Sequence, residues 1–211
     1  MSYIDTKLLP AKLPITIPYA LDCLNLDGVI SIATDTVYGI AAKIYNSNAI
    51  NKIYNIKKRQ KNKAIAVLLG NISQINDVAI DINPFVLSLA KHFWPGGLTI
   101  IVYKKPDLPP ILSKLNTIGI RIPDHRHTQD LLNDSGPLAT TSANLSGEPD
   151  ITNGIDVYHK FKGKLDLVID SGKTPGGIPS TVLDCTQRQP KILREGAIPS
   201  KIIFEFINKH S

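Results

Sequence analysis

Sulfur is scarce in this chain of 211 residues: two cysteines, Cys23 and Cys185, and one methionine. Two thiols so far apart fit a reducing compartment better than a disulfide scaffold, so a cytoplasmic location is expected. Neither thiol has metal-ligand spacing, and both read as small apolar residues of the interior. Aromatic residues make up only 6%, which argues against a stacking platform for single-stranded nucleic acid. No apolar run is long enough to cross a bilayer, so no membrane partner is expected. Asp5, Lys7, Pro10 and Pro14 interrupt the N-terminal stretch, and no secretory signal is read there. The familiar nucleotide fingerprints are missing as well. Gly172-Lys173-Thr174-Pro175-Gly176-Gly177 has the composition of a phosphate loop without its spacing, and no Gly-x-Gly-x-x-Gly occurs. His125 and His127 have no further His or Cys placed to complete a metal site and read as surface residues. No Ser-His-Asp arrangement, internal repeat, low-complexity tract or dividing linker is apparent, so residues 1–211 read as a single domain.

What is present is a basic chain able to bury a sizeable core. Hydrophobic residues make up 43%, charged residues 20%, and the net charge is +6. That balance favours anionic partners: a nucleotide, tRNA or another polyanion. Helix and strand signals alternate, the α/β pattern. Pro18 opens an expected first helix and Gly28 stops it. Val29 to Ala33 reads as a buried strand, followed by a loop from Thr34 to Gly39. Ser47 is an expected cap for a helix carrying Ile50, Ile53, Tyr54 and Lys57 on one stripe. Ile65 to Leu69, Leu98 to Tyr103, Ile118 to Ile122 and Pro137 to Thr141 read as strands, with helices expected from Pro84 and near Gln129 to Leu132. Asp156 to Lys162 and Ile202 to Ile207 read as helices. Leu165 to Asp170, Ser180 to Asp184 and Lys191 to Leu193 read as strands.

Three short stretches carry chemistry. Lys57, Arg59 and Lys63 form a cationic cluster at a helix end, which repels itself unless an anion neutralises it. Alone, such a cluster reads as a solvated helix end favoured by the dipole. Lys57 and Arg59 are two apart, off one helical face, so they converge only through a turn. The Ser142-Ala143-Asn144 loop leaves a strand and offers N–H groups and hydroxyls suited to an anion, or simply a polar turn. Arg121 lies inside an apolar run, where a guanidinium needs a partner. A bound carboxylate or phosphate would serve, and so would an internal salt bridge.

In order along the chain, Ala33-Thr34-Asp35-Thr36-Val37-Tyr38-Gly39-Ile40, the Lys57-x-Arg59-x-x-x-Lys63 spacing, Trp94-Pro95-Gly96-Gly97-Leu98-Thr99, Ser142-x-Asn144, Pro179-Ser180-Thr181-Val182-Leu183-Asp184 and Leu193-Arg194-Glu195-Gly196-Ala197-Ile198 resemble the YrdC family. The likeness runs from about Val29 to Ile198. Ala33 stands where the family has proline, Asp35 where it has glutamate, and Leu68 where longer members have a histidine that touches threonine.

The resemblance implies a twisted mixed β-sheet flanked by helices around a basic cavity. It implies synthesis of L-threonylcarbamoyladenylate and pyrophosphate from L-threonine, bicarbonate and ATP. That product feeds threonylcarbamoylation of the tRNA adenosine next to the anticodon. Carried over residue by residue, Lys57 and Arg59 would be the catalytic cations. Lys57, Arg59, Lys63 and Arg194 would hold the phosphates of ATP, and Thr117 with Ser142, Ala143 and Asn144 the nucleotide. Thr36, Arg121, Thr141 and Ser180 would hold threonine, with Arg121 on its carboxylate. Mg2+ is expected to accompany ATP, and the tRNA-threonylcarbamoyl transferase machinery is the expected protein partner. A competing expectation is a non-catalytic module of the same fold that docks double-stranded RNA or tRNA. It would bind RNA tightly, salt-sensitively and without ATP.

Overall fold

The structure is a computed structural model and describes residues 4–210. Among the described residues ten strands form one mixed sheet. They are β1 (Lys7–Pro10), β2 (Ile30–Ile32), β3 (Gly39–Lys43), β4 (Ala66–Leu68), β5 (Leu98–Tyr103), β6 (Thr117–Arg121), β7 (Leu138–Ser142), β8 (Leu167–Asp170), β9 (Thr181–Asp184) and β10 (Lys191–Arg194). The spatial order is β1-β8-β2-β3-β7-β4-β6-β5-β9-β10. The pairs β1·β8, β2·β8, β4·β6 and β5·β9 are parallel, and the others antiparallel. The helices are α1 (Thr16–Asn25), α2 (Ser47–Lys57), α3 (Ile75–Val78), α4 (Pro84–Phe93), α5 (Arg126–Ser135), α6 (Gly154–Phe161) and α7 (Ser200–His210).

Local signals explain most boundaries. Asn83 caps α4 by accepting the Val86 N–H at 2.9 Å, and Pro84 fills the first turn, where no N–H is required. Asn46, not Ser47, caps α2, accepting from Ala49 N at 2.9 Å. The first helix begins at Thr16 rather than Pro18. Pro18 falls within its first turn, where a missing N–H still costs nothing. Two strands lie outside the sequence expectations. β3 is rich in small residues and buried on both faces, so it carries neither alternation nor β-branched enrichment. β1 is a short edge strand ending at Pro10, tolerated because an edge leaves N–H groups unpaired.

Strand alternation divides the interior in two. Ile40, Val67, Ile100, Ile120, Ala139 and Val168 point into a large core shared with Ile50, Ile53 and Tyr54 of α2, Leu89 and Phe93 of α4 and Phe161 of α6. On the opposite face, Ile30, Ile32, Ala41, Leu138 and Leu167 pack against Ala20 and Leu24 of α1 and Leu131 and Leu132 of α5. Fully burying one such side chain contributes about 1.5–3 kcal/mol. The α1–α5 layer covers the β8-β2-β3-β7 half of that face and reaches Leu68 on β4. Beyond its edge, towards β6, β5 and β9, the same face becomes the floor of a cavity.

Candidate active site

Register aligns the cavity floor. Leu68 pairs with Arg121, Ala66 with Thr140, Ile101 with Gly119, Thr99 with Val182 and Val182 with Arg194. All line a cavity of about 290 Å³ beside the α1–α5 layer. Thr34, Thr36, Val37, Tyr38 and Gly39, with Arg59, Thr141, Ser142, Pro179 and Ser180, form its walls. No Asp or Glu is among these lining residues, whereas three arginines are: Arg59, Arg121 and Arg194.

Arg121 is 5% exposed and anchors the floor. Its Nε donates to Gly96 O at 2.8 Å, Nη1 to Thr36 Oγ1 at 3.0 Å, and Nη2 to Asp35 Oδ1 at 2.5 Å. The internal salt bridge open to this residue is therefore present, with Asp35. A guanidinium has five N–H donors, so two remain for a ligand. Asp35 also accepts the Asp124 N–H at 2.9 Å, which fixes its carboxylate from a second side. Burial pulls the Arg121 pKa down and Asp35 opposes that shift.

The Thr34–Tyr38 loop is held from within. Thr34 Oγ1 donates to Val37 O at 2.7 Å and accepts the Thr36 and Val37 N–H groups at 3.1 and 3.2 Å. It also lies 2.9 Å from Thr36 Oγ1, a contact in which either hydroxyl can be the donor. Thr36 lines the cavity, and its Oγ1 already takes one bond from Arg121. Its carbonyl accepts Gly177 N at 2.7 Å and Thr174 Oγ1 at 3.0 Å, tying the loop to the 171–179 segment. On the far wall, Thr99 Oγ1 and Ser180 Oγ are 2.7 Å apart. Arg194 donates to Ser180 O from Nε at 3.1 Å and Nη2 at 2.7 Å. Arg59 donates to Ala64 O at 2.8 Å and Lys63 O at 3.3 Å. Desolvation lowers the pKa of both Arg59 and Arg194, and the charge of Arg194 lowers that of Arg59 and Arg121 further. The cations repel one another across a cavity that an anion would neutralise.

Lys57 and Arg59 part company where α2 ends. Lys58 adopts a left-handed conformation, φ 50° and ψ 39°, which turns Arg59 to the cavity. Lys57 stays inward, 1% exposed, and is not among the lining residues. Its Nζ donates to Ser142 O, to Asn144 O at 2.6 Å and to Asn144 Oδ1 at 2.8 Å. Burial pushes its pKa down to about 8, with Arg59 adding to the shift.

The other expected residues are distributed as follows. Thr36, Thr141, Ser142, Ser180, Arg59, Arg121 and Arg194 line the cavity. Ala143 and Asn144 are buried directly behind it. Thr117 lies on the β6 face of Gly119 and Arg121, towards the strand's start, and does not line the cavity. Lys63 is exposed and reaches the site only through its carbonyl. Asp35 and Thr99 are site residues that sequence reasoning did not single out. Each sits inside a quoted motif, and only its partner across the sheet gives it a role. Outside the site, burial pushes the thiols of Cys23 and Cys185 up to about 11 and 12. His125 accepts from Thr128 N at the start of α5. Among the described residues no group of three His, Cys, Asp or Glu is placed to hold a metal.

Fold and site together define an α/β protein whose open mixed sheet floors an arginine-lined cavity. The family model Sua5/YciO/YrdC, described as "Telomere recombination", matches residues 22–196, and the chain belongs to that family. It is similar to the threonylcarbamoyl-AMP synthase of Bacillus subtilis, 38% identical over 89% of this chain and 55% of the relative. A Methanocaldococcus jannaschii protein is 40% identical over 82% of this chain and 83% of its own length. The crystal structure of Pyrococcus abyssi Sua5 complexed with L-threonine superposes with a TM-score of 0.91, at 31% identity, over 96% of this chain and 60% of that one. Escherichia coli YciO matches with a TM-score of 0.82, at 26% identity, over 95% and 98% of the two chains. The chain thus spans little more than half the length of the Bacillus relative. No helix among the described residues is long and apolar enough to cross a membrane.

Proposed function

We propose that this chain is a threonylcarbamoyladenylate synthase, joining L-threonine, bicarbonate and ATP with release of pyrophosphate. The observation that carries this reading is the cavity with three arginines and no lining carboxylate, floored by Arg121 with donors to spare. The names of the Bacillus and Pyrococcus relatives, and the L-threonine complex of Pyrococcus Sua5, support it.

The chemistry suits the walls. The amine of threonine condenses with bicarbonate to a carbamate, and water leaves. A carbamate oxygen attacks the α-phosphorus of ATP, and pyrophosphate leaves in line. Such a step needs positioning and neutralised charge rather than a protein nucleophile. Arg121 would take the threonine carboxylate on its two remaining donors, and Thr36 Oγ1 would accept from the amine. Thr141 and Ser180 would complete the threonine pocket. Arg59 and Arg194, with Lys63 at the rim, would hold the phosphates, and Thr117 and the Ser142-Ala143-Asn144 loop the nucleoside. Magnesium would enter with ATP on its phosphate oxygens, since the lining offers hydroxyls and guanidinium groups but no carboxylate. The adenylate would pass to the machinery that transfers the threonylcarbamoyl group to tRNA, in the cytoplasm.

The test is incubation of the pure protein with MgATP, bicarbonate and labelled threonine. A labelled adenylate, with pyrophosphate released only when threonine and bicarbonate are both present, is expected. Equal pyrophosphate release without threonine overturns the proposal. So does salt-sensitive RNA binding with no adenylate formed.

A further inference from the structure

Among the described residues Lys57 is the least exposed cation, and it belongs to the loop behind the cavity rather than to the cavity itself. An ammonium has three N–H donors, and three acceptors take them: Ser142 O, Asn144 O and Asn144 Oδ1. The attachment is reciprocal, because the Lys57 carbonyl accepts Ser146 N at 3.0 Å. The same loop is fastened elsewhere by Ala143 N to Tyr38 O at 2.7 Å, by Ser142 Oγ to Asn144 Oδ1 at 2.6 Å and by Asn144 Nδ2 to Glu148 O at 2.5 Å. Asn144 Oδ1 therefore accepts from two donors at once, the Lys57 ammonium and the Ser142 hydroxyl. Lys57 fixes the Asn144 rotamer, and Asn144 fixes the direction of the Ser142 hydroxyl that lines the cavity. With every donor engaged, an approaching phosphate would have to break one of these bonds to be met.

We propose that Lys57 is a positioning residue: its ammonium sets the Ser142–Asn144 loop on which the nucleotide rests, and it does not itself touch the phosphates. This rests on the nucleotide reading above for what the loop holds, but not for the ordering of the loop. Removing the ammonium takes the donor from the Asn144 carbonyl and one of two donors from each of Ser142 O and Asn144 Oδ1, which loosens the loop rather than deleting a ligand contact.

Two kinds of readout decide it. In the ligand-free protein, Lys57→Met should speed backbone amide exchange at Ala143 and Ser146 at least tenfold, while amides of the α4–β5 region keep wild-type protection. Unchanged exchange at Ala143 and Ser146 overturns the proposal whether or not the protein binds nucleotide. In binding titrations with the magnesium complex of adenylyl imidodiphosphate, Lys57→Met and Asn144→Leu should each weaken affinity tenfold or more. The double variant should lose little beyond the weaker single variant, because one residue acts through the other. Losses that multiply overturn the proposal by making Lys57 an independent ligand. A wild-type protein that does not bind the analogue sinks the nucleotide reading, and the exchange result then stands alone. Where Lys57→Met does not fold, the wild type serves with nitrogen-15 at its lysine ammonium groups. With analogue bound, scalar coupling from Lys57 Nζ to the Ser142 and Asn144 carbonyl carbons supports positioning. Coupling to phosphorus in their place overturns it.

Discussion

The Arg121–Asp35 pair sits at the meeting point of stability and ligand binding, so it can be perturbed to separate the two. Their side chains are 6% and 16% exposed. Breaking a buried pair by removing one partner costs about 3–5 kcal/mol, mainly because the other charge is left uncompensated. Here Arg121→Met strands Asp35, but the Asp124 N–H still reaches that carboxylate at 2.9 Å. The expected loss is therefore at the low end, about 3 kcal/mol in urea unfolding. The double variant Arg121→Met with Asp35→Asn removes the stranded charge and should recover part of that loss. It is the variant in which function is to be read. If the two free donors of Arg121 take the threonine carboxylate, losing them forfeits about 1.5–3 kcal/mol of charged hydrogen bonding. That corresponds to a rise of roughly 10- to 150-fold in half-saturating threonine. Half-saturating ATP should move less than about threefold on the same scale. Arg121→Lys keeps the charge but loses the fork, and should fall between wild type and the double variant. Initial rates of adenylate formation across a threonine series measure this. A folded double variant with wild-type threonine dependence would refute the reasoning and leave Arg121 a structural ion pair alone.

Arg59→Ala removes donors to two loop carbonyls and a cation from the cavity wall. It should abolish measurable ATP binding with a melting temperature close to wild type, as calorimetry would show. Gly176 packs on the site loop so closely that an added Cβ would sit 2.6 Å from Asp35 O and 3.1 Å from Thr36 Cα. Gly176→Ala should push Thr36 aside and weaken threonine binding more than ATP binding, read by isothermal titration. Lys57 titrates near 8 in the folded chain against an ordinary 10.5. Between those values the unfolded chain holds a proton that the folded chain has released, so its contribution to stability rises with pH across that window. Ligand binding should run the other way, because the neutral amine keeps two N–H groups for three acceptors. Nucleotide affinity should fall above pH 8 in wild type but not in Lys57→Met. The urea midpoint of wild type relative to that variant should climb. A parallel fall of both quantities in wild type would contradict the assignment.

Much of this protein was legible along the chain, because strands buried on both faces are short apolar runs and helices carry caps. β5 appears over the residues expected of it, Leu98–Tyr103, and Asn83-Pro84 marks the start of α4 by simple capping chemistry. β3 and β1 were not legible. A stretch such as Gly-Ile-Ala-Ala-Lys becomes a strand only because β2 and β7 flank it and satisfy its backbone. The cationic, hydroxyl-rich character of the site was likewise written in the motifs, and so was the oddity of an arginine among apolar residues. Sequence alone left the partner of that arginine open between a ligand and an internal carboxylate. Tertiary structure decided it by bringing Asp35 across to β6 from 86 residues away in the chain. It also decided the fates of Lys57 and Arg59, two positions apart. One left-handed residue between them sends the first inward to a loop 85 residues distant and the second outward to the cavity. Which groups are available and which faces must be buried follow from side-chain chemistry and local period alone. Which groups meet depended on strand order and register, because contacts between residues far apart in the chain exist only once the sheet has closed.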